Sequence, residues 1–410
     1  MITIPKIPQS EFAMRRKAAV AQAKDQGLDA LLVWSRGGGS VEAYGDVLYL
    51  SNFHSLFPVI PDDRGWASRG HAALILPVIG DPVIITDFHD DPEGRVDISD
   101  IRAVPDITIA TTAALAEMGL LGKRIGLVGA NAFLASAERR MRTAPGGDRI
   151  MLIPADQILE DLRTIKSEAE LDMMRHSASV GVKWMNSTMG ALAEGCTEGD
   201  AVAEGLRTLA SHGGIQQDVA IASGPKASHY FGSSGVPHWN VTRPLVLGDM
   251  VHVDQWGPVN TYYTDFARST VIGGNPNAAQ KNLLEGSIGV IEHIIDGIRP
   301  SVSFGDLFAR GALWMESNGL VGPRLSTQKK VAQSDFGAGF PSFGHSLGLG
   351  NDAPNIIEGS TLVVKPNMVL AIEIFVEERG VGASNFEQNL IVHADRLEVL
   401  TEACQKRWWN

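Results

Sequence analysis

The spacing of apolar and polar positions changes along the chain, and the change divides the sequence near residue 160. Before that point, short apolar runs typical of β-strands alternate with stretches of helical spacing, beginning with an amphipathic helix at 11–28. Strands that alternate with helices indicate an α/β domain with a mixed sheet. We therefore predict an N-terminal α/β domain at residues 1–160, with strands at LDALLVW (28–34), DVLYLSNF (46–53), HAALILPV (71–78), PVIITDF (82–88), RIGLVG (124–129) and RIMLIPA (149–155).

The remaining residues, 161–410, show a different pattern and predict a second domain. Ser167 followed by Glu170 is a capping box, which marks the N-terminus of a helix, and apolar residues at helical spacing follow it. Strand-like regions then alternate with pairs of helices. We predict an α+β domain in which two helical pairs cover a curved antiparallel sheet, with helices at 162–192, 197–212, 277–297 and 303–318 and strands within 216–273 and 361–395.

Two aspartates occur in the first strand-rich region, in VDQWGPVNTYYTDFAR (253–268). Aspartate is unfavourable in strands, yet Asp254 and Asp265 occupy the two arms of a predicted hairpin. If the turn is centred between Val259 and Asn260, the two aspartates face each other with Cβ atoms roughly 4.5–5.5 Å apart. Such a pair needs a proton or a cation between the carboxylates. The alternative is two solvated carboxylates near a loop.

Two glutamates repeat this arrangement near the end of the chain, in MVLAIEIFVEERGVGASNFEQNLIVH. Glu373 and Glu387 face each other if the hairpin is centred on Gly380. Glu373 lies in an otherwise apolar run, where a carboxylate is costly unless a metal or a hydrogen-bond partner compensates it. The alternative is a single glutamate on a solvated face of the strand.

One histidine lies between the two hairpins, in FGHSLGLG (343–350), where glycines allow the backbone to approach a neighbouring group. A single histidine such as His345 is more often structural than a ligand. The combination with four carboxylates changes this balance, because such a set suits a pair of divalent ions such as Mn, Fe, Co or Zn. Two ions about 3.5–4 Å apart can activate a water and polarise an electrophile.

Composition and charge indicate which kinds of molecule the protein does not bind. The 410 residues are 44% apolar and 20% charged, which is ordinary for a globular protein. The net charge is −12 and no Lys/Arg-rich run occurs, which argues against nucleic acid as the main partner. No apolar run approaches the ~20 residues of a membrane span, and the N-terminus lacks the apolar core of a signal peptide. With two cysteines and no disulfide framework, we expect a cytoplasmic protein that does not bind membranes.

The part of the chain at about 162–402 resembles the "pita-bread" metallopeptidase family of Xaa-Pro aminopeptidase, prolidase, methionine aminopeptidase and the metal-free enzyme creatinase. The five candidate ligands follow one another at spacings of 11, 80, 28 and 14 residues, which fit the family. The N-terminal half resembles the smaller creatinase/prolidase N-terminal domain in length and α/β pattern. The similarity of the second half rests on LRTIKSEAELDMMRHS, SGVPHWNVTRPLVLGDMVHVD, YYTDFARSTVIGG, FGHSLGLG, MVLAIEIF and NFEQNLIV.

The resemblance implies a metal-dependent hydrolase that acts on an Xaa-Pro dipeptide or a similar small amide, and relatives with this N-terminal domain imply a homodimer. Glu373 would also be the proton shuttle, and His238 would contact the substrate or leaving group. His229 is the alternative for that role. We expect two divalent ions, manganese first and cobalt, iron or zinc as alternatives, bound by Asp254, Asp265, His345, Glu373 and Glu387.

Three positions depart from the family pattern. Seven residues after the metal histidine, where the peptidases carry a second histidine, this chain has Asp352, a candidate substrate-binding residue. An ionised aspartate cannot donate a hydrogen bond to a developing oxyanion. Pro341 and Asn385 replace a histidine and an arginine that the family favours.

These departures support a second hypothesis, a non-peptidase on the same scaffold. Such an enzyme would be a C–N hydrolase acting on a creatine-like compound, or a lyase similar to the relatives that cleave dimethylsulfoniopropionate. A third hypothesis is a catalytically inactive binding module, which the complete ligand set disfavours.

Overall fold

The computed structural model describes residues 4–37, 43–55, 57, 60–63, 65–323, 325–327 and 341–410, which form two compact units. The N-terminal unit is Ile7–Arg163, and the C-terminal unit is Thr164–Asn410 together with residues 4–6. That the chain divides into two domains at residues 1–160 and 161–410 remains a prediction. Among the helices of the described residues, none has both the length and the apolar character needed to cross a membrane.

A mixed sheet with accompanying helices forms the N-terminal unit, as the alternation of strand and helix patterns predicts. Its elements are α1 (Gln9–Asp25), β1 (Ala30–Arg36), α2 (Gly45–Ser51), β2 (His71–Pro77), β3 (Val83–Thr86), β4 (Asp100–Ala103), α3 (Ile107–Glu117), β5 (Arg124–Val128), α4 (Ala135–Thr143), β6 (Met151–Pro154) and α5 (Asp156–Thr164). The spatial order of the strands is β4-β3-β2-β1-β5-β6. Strand β1 runs antiparallel to β2 and parallel to β5, so this sheet is mixed.

The segment DVLYLSNF (46–53) is helical, so its assignment as a strand was wrong. Helix α2 covers Gly45–Ser51, and all of its residues except Asp46 are buried. A short apolar run that is buried on every side carries no period that distinguishes a helix from a strand. The helix ends at Asn52, whose φ of 58° lies in the left-handed region.

Two antiparallel sheets covered by helical pairs form the C-terminal unit, which is the predicted α+β architecture. Its helices are α6 (Glu168–Gly190), α7 (Glu198–Ser211), α8 (Ala278–Ile295) and α9 (Phe304–Ser317). Its strands are β7 (Asp218–Ser223), β8 (Met250–Val259), β9 (Tyr262–Val271), β10 (Ser342–Leu347), β11 (Asn351–Ile357), β12 (Val369–Glu378), β13 (Gly382–Val392) and β14 (Leu397–Val399). Strands β7-β8-β9 form one sheet and β11-β10-β12-β13-β14 the other. Helices α6 and α7 share a core with the first sheet, and α8 and α9 with the second.

The predicted capping box is present at the start of α6. The Ser167 hydroxyl accepts a hydrogen bond from the Glu170 backbone N–H, and the Glu170 side chain accepts one from the Ser167 N–H. Glu170 also accepts a hydrogen bond from Tyr262 Oη at 3.0 Å, and Ser177 Oγ donates to the Tyr262 carbonyl at 2.8 Å. These contacts attach α6 to the start of β9, the strand that carries Asp265.

The register predicted for the aspartate hairpin is wrong by two residues. Asp254 pairs with Ala267, and Asp265 pairs with Trp256, so the two aspartates do not face each other directly. Because side chains alternate between faces with a period of two, this shift leaves both aspartates on the same face of the sheet.

The position of the turn explains the shift. Asn260 and Thr261 have positive φ values of 48° and 80° and connect the strands as a two-residue turn. Paired positive φ values are typical of the type I′ turns that match the twist of a hairpin. Gly257 and Pro258, although their residue types favour turns, lie inside β8 and pair with β9.

Polar contacts between β9 and β13 join the two sheets. Ser269 Oγ donates to the Asn385 carbonyl at 2.9 Å and accepts from the Asn385 N–H at 2.8 Å. The Asn389 side chain accepts from the Asp265 N–H at 3.2 Å and donates to the Asp265 carbonyl. The acidic residues of one hairpin are thereby held beside those of the other.

Candidate metal centre

The structure brings the five predicted metal ligands together inside the C-terminal unit. Asp265, His345 and Glu387 offer ligand atoms that lie within 4.8 Å of one another, and so do Asp254, Glu373 and Glu387. Glu387 therefore belongs to both groups. Four of the five residues are at most 9% exposed, while Glu373 is only partly buried.

Glu387 shows why this cluster fits a cation. Both of its carboxylate oxygens are buried, and neither accepts a hydrogen bond from the described residues. It lies directly opposite Glu373, which confirms the register predicted for the second hairpin. Its backbone is held by the buried Arg268, whose Nη1 donates to the Glu387 carbonyl at 2.7 Å. An ionised carboxylate buried without a partner is strongly unfavourable, so these two oxygens fit the role of metal ligands.

Asp254 is held by hydrogen bonds to one of its oxygens. Tyr230 Oη donates to Asp254 Oδ2 at 2.5 Å, and Asn385 Nδ2 donates to the same atom at 2.9 Å. The other oxygen, Oδ1, is buried and has no hydrogen-bond partner among the described residues. The two donors fix the carboxylate and leave Oδ1 available for a cation.

His345 has the tautomer that metal ligation requires. Its Nδ1 lies 2.9 Å from the Ser346 carbonyl, and because a carbonyl only accepts, Nδ1 carries the proton. Nε2 then has a free lone pair. It lies 3.6 Å from Asp265 Oδ2 and 3.7 Å from Glu373 Oε1, so it faces the carboxylates it would share an ion with.

Burial changes the proton affinity of every group in the cluster. Burial and the charge of Glu373 raise the pKa of Asp254 to about 7, and burial raises the pKa of Glu373 to about 7. Burial, followed by neighbouring carboxylates, raises the pKa values of Asp265 and Glu387 well above their usual range, and burial lowers the pKa of His345. Four carboxylates in one buried cluster ionise together only if positive charge compensates them, which is what divalent ions supply.

The two candidate substrate histidines belong to neither ligand group. His238 is partly buried, with Nδ1 2.8 Å from Asp218 Oδ2 and its ring centroid 4.1 Å from that of Phe231. Phe231 in turn packs edge-on against Tyr230, the residue that donates to Asp254. The side chain of His229 is exposed, and its backbone carbonyl lies 2.8 Å from Nε2 of His252.

Asp352 lies at the edge of the cluster and belongs to neither ligand group. It is partly buried on β11 and pairs with Ser346 of β10, the residue that follows His345. The structure therefore places it beside a predicted ligand.

Two residues near the cluster were not predicted from the sequence. Tyr230 follows His229 in SHYFG, and nothing local distinguishes a tyrosine that binds a ligand aspartate from one that packs in a core. Lys166, just before the cap of α6, is 2% exposed and lies close to Ser346. An unusual burial of this kind becomes visible only in the folded structure.

A family model matches the part of the chain that contains this cluster. Residues 172–394, more than half of the chain, match metallopeptidase family M24. The chain belongs to that family, which confirms the resemblance inferred from the motifs. The matched range includes all five predicted ligands.

Individual relatives agree with this assignment. The chain is 23% identical over 255 residues to the Xaa-Pro dipeptidase of Pyrococcus furiosus, in an alignment that covers 60% of this chain and 66% of that protein. The match thus spans just under two thirds of that relative's length. The fold is similar to the dipeptidase PepE from Mycobacterium ulcerans (TM-score 0.73, 20% identity, 97% of each chain) and to the prolidase from Pyrococcus horikoshii OT3 (TM-score 0.73, 17% identity, 95% of this chain and 98% of that one). These likenesses show the pita-bread fold with its smaller N-terminal part.

Proposed function

We propose that this protein is a metal-dependent peptidase that hydrolyses short peptides, with Xaa-Pro dipeptides as its substrate class. The observation that carries the proposal is the pair of buried Glu387 oxygens, which lack hydrogen-bond partners among the described residues and lie at the junction of two ligand groups. The names of the relatives, Xaa-Pro dipeptidase and prolidase, support the substrate class. They favour a peptide over a creatine-like or sulfonium compound.

The proposed cofactor is a pair of divalent ions. Oxygen-rich sites with one imidazole suit Mn, Co, Fe and Zn, and manganese is our first expectation. The residues that would hold the ions are Asp254, Asp265, His345, Glu373 and Glu387, of which Glu387 belongs to both groups of candidate ligands.

The chain's own residues prepare this site for hydrolysis. Bound divalent ions would supply an activated water and polarise the carbonyl of the substrate. Tyr230 and Asn385 keep Asp254 oriented, and Ser346 keeps the His345 imidazole in the ligating tautomer. We assign Glu373 the transfer of a proton from water to the leaving amine, because it is the most exposed of the five ligand residues and a proton-transfer group must exchange with its surroundings.

On the substrate side, His238 is the better candidate for contact with the substrate. Its Nδ1 lies 2.8 Å from Asp218 Oδ2, and its ring packs against Phe231, which connects it through Tyr230 to Asp254. His229 is exposed and remains the second candidate. Asp352 is proposed as a substrate-side residue that replaces the family histidine.

The proposal is tested by hydrolysis of Gly-Pro and of Xaa-Pro-Xaa peptides after loading with Mn²⁺ or Co²⁺. We expect turnover that disappears with EDTA, returns with metal, and is lost in Glu387→Gln. Glu204→Gln is the matched control, because Glu204 lies on the exposed face of α7 and forms an ion pair with Arg207. That variant should keep wild-type turnover.

Two results would overturn the substrate class. Turnover of creatine or dimethylsulfoniopropionate with no turnover of any peptide would favour the non-peptidase hypothesis. Peptide hydrolysis that survives both EDTA and Glu387→Gln would show that the assigned cluster is not the active site.

A further inference from the structure

A buried lysine lies beside the strand that carries His345, and the proposed reaction does not use it. Lys166 is 2% exposed. Its backbone N–H donates to the Asn367 carbonyl at 2.9 Å, and its Nζ lies 3.4 Å from Ser346 Oγ. Lysine is almost never fully buried unless an opposite charge is close to it. The structure should therefore contain a carboxylate near this ammonium.

Asp352 borders the same space around Gly348 as the Lys166 ammonium. A Cβ atom added to Gly348 would lie 2.7 Å from Asp352 Oδ2 and 3.3 Å from Lys166 Nζ. The two charged groups thus border the same small volume, which a larger residue at position 348 would fill. Asp352 also pairs with Ser346 across the β10–β11 ladder. Lysine and aspartate both lie close to the residue that follows His345.

The negative charge of Asp352 acts on His345, the proposed metal ligand on strand β10. Burial lowers the pKa of His345, and Asp352 acts in the opposite direction through its negative charge. A carboxylate whose charge affects a ligand imidazole will also attract a cation bound to that imidazole. The charge that Lys166 places beside Asp352 offsets this attraction.

We propose that Lys166 and Asp352 form a buried ion pair that positions the His345–Gly348 segment and neutralises Asp352 beside the metal centre. Lys166 is a positioning residue, which acts through Asp352 and Ser346 and does not contact the substrate. Next to the strand of His345, this chain therefore presents a charge-balanced pair. The effect of this ion pair on metal binding rests on the proposed function. Its effect on folding stability is independent of that function.

The first test compares thermal unfolding of the metal-free protein in EDTA for wild type, Lys166→Met, Asp352→Asn and the double variant. Each single change leaves one buried charge without its partner, and we expect each to lower the unfolding midpoint by about 4–8 °C. The double variant replaces the ion pair by neutral groups and should recover most of that loss. A midpoint for the double variant that falls by the sum of the two single losses would overturn the pair.

The second test is titration of the same four metal-free proteins with Mn²⁺ by calorimetry. Lys166→Met should bind Mn²⁺ about tenfold more tightly, because an uncompensated negative charge remains near the site. Asp352→Asn should bind about tenfold more weakly because the ammonium then remains uncompensated. The double variant should return to within about threefold of wild type, since neither charge is present. Equal affinities in all four proteins would refute the electrostatic role.

A control ion pair separates this effect from general loss of charge. Arg175 of α6 binds Glu398 of β14 at 2.8 Å, and both side chains are partly exposed. Arg175→Met should leave Mn²⁺ affinity unchanged. If Lys166→Met does not fold, Asp352→Asn and the double variant still decide, because the double variant must then unfold at a higher temperature than Asp352→Asn.

The unfolding test and the Mn²⁺ titration also separate this inference from the proposed function. A wild-type protein that binds no Mn²⁺ would contradict the proposed function, while the unfolding midpoints would still decide whether the ion pair exists. Normal Mn²⁺ binding with additive unfolding losses would contradict the ion pair alone.

Discussion

Removing one oxygen atom, in Tyr230→Phe, tests whether Asp254 is prepared as a metal ligand. Tyr230 Oη donates to Asp254 Oδ2 at 2.5 Å. Burial and then the charge of Asp254 raise the pKa of Tyr230 well above its usual value, so the hydroxyl stays protonated and remains a donor. The ring itself packs against Phe231, His252 and Phe375, and phenylalanine keeps those contacts. The variant therefore removes this hydrogen bond and keeps these ring contacts.

The size of the effect follows from the kind of bond. A hydrogen bond to a charged group contributes about 1.5–3 kcal/mol, and a short O–H···O⁻ bond belongs to the stronger class. Asn385 Nδ2 still donates to Asp254 at 2.9 Å in the variant. Because metal binding requires Asp254 in its anionic form, the lost bond should weaken Mn²⁺ binding by about 10–100-fold, since each 1.4 kcal/mol is a factor of ten.

The assay is calorimetric titration of the metal-free variant with Mn²⁺, with Tyr262→Phe as a matched control. Tyr262 Oη donates to Glu170 at 3.0 Å, so this change also removes a buried hydroxyl from a carboxylate in the same unit. Glu170 is not among the proposed ligands, and the control should lose about 1.5–3 kcal/mol of unfolding free energy without losing Mn²⁺ affinity. Wild-type affinity in Tyr230→Phe, or equal losses in both variants, would refute the reasoning.

Three further predictions concern stability and metal binding. Arg268→Met should lower the free energy of unfolding of the metal-free protein, measured in urea, by about 3–6 kcal/mol. The reason is that the buried guanidinium donates hydrogen bonds to the Glu387 carbonyl (2.7 Å), Gln388 Oε1 (2.9 Å) and the Gln405 carbonyl (3.0 Å). A loss below about 1 kcal/mol would contradict this prediction. Burial, and then the charge of Arg36, lower the pKa of His71 from 6.5 to about 4, so the unfolded chain takes up this proton first. The contribution of neutral His71 to the free energy of unfolding is fully present above about pH 6.5, and about 3 kcal/mol of it is lost as the pH falls towards 4. His71→Asn should remove that part of the pH dependence, as measured by urea unfolding curves at several pH values. Unchanged pH dependence in the variant would contradict this prediction. Glu387→Gln should reduce the bound metal from about two ions per chain to at most about one.

The four candidate carboxylate ligands were accessible from the sequence because each violates a local rule. Carboxylates inside strand-like apolar runs are unfavourable unless something compensates them. The register that places Glu373 opposite Glu387 was also predictable, since the loop between β12 and β13 is short and centred on Gly380. A carboxylate that conflicts with its local pattern is thus a useful sign of a site.

Other features depend on choices that residue type alone does not settle. The aspartate hairpin turns at Asn260 and Thr261 although Gly257 and Pro258 are stronger turn formers. The apolar run of α2 is buried on nearly every side, so periodicity could not separate a helix from a strand.

Contacts between distant positions lay beyond sequence reasoning. Tyr230 reaches Asp254 across 24 positions, and Lys166 reaches Ser346 across 180. The pairing of such residues is set by how the two sheets and α6 pack together, which no local pattern records.

The metal content of the purified protein tests the central claim most directly. Wild type and Glu387→Gln are loaded with Mn²⁺, dialysed, and analysed by elemental mass spectrometry alongside Glu204→Gln. The account predicts about two ions per chain in wild type and in the control, as expected for a two-metal hydrolytic site, and at most about one in Glu387→Gln. Wild-type protein without bound metal, or Glu387→Gln with the full metal content, would contradict it.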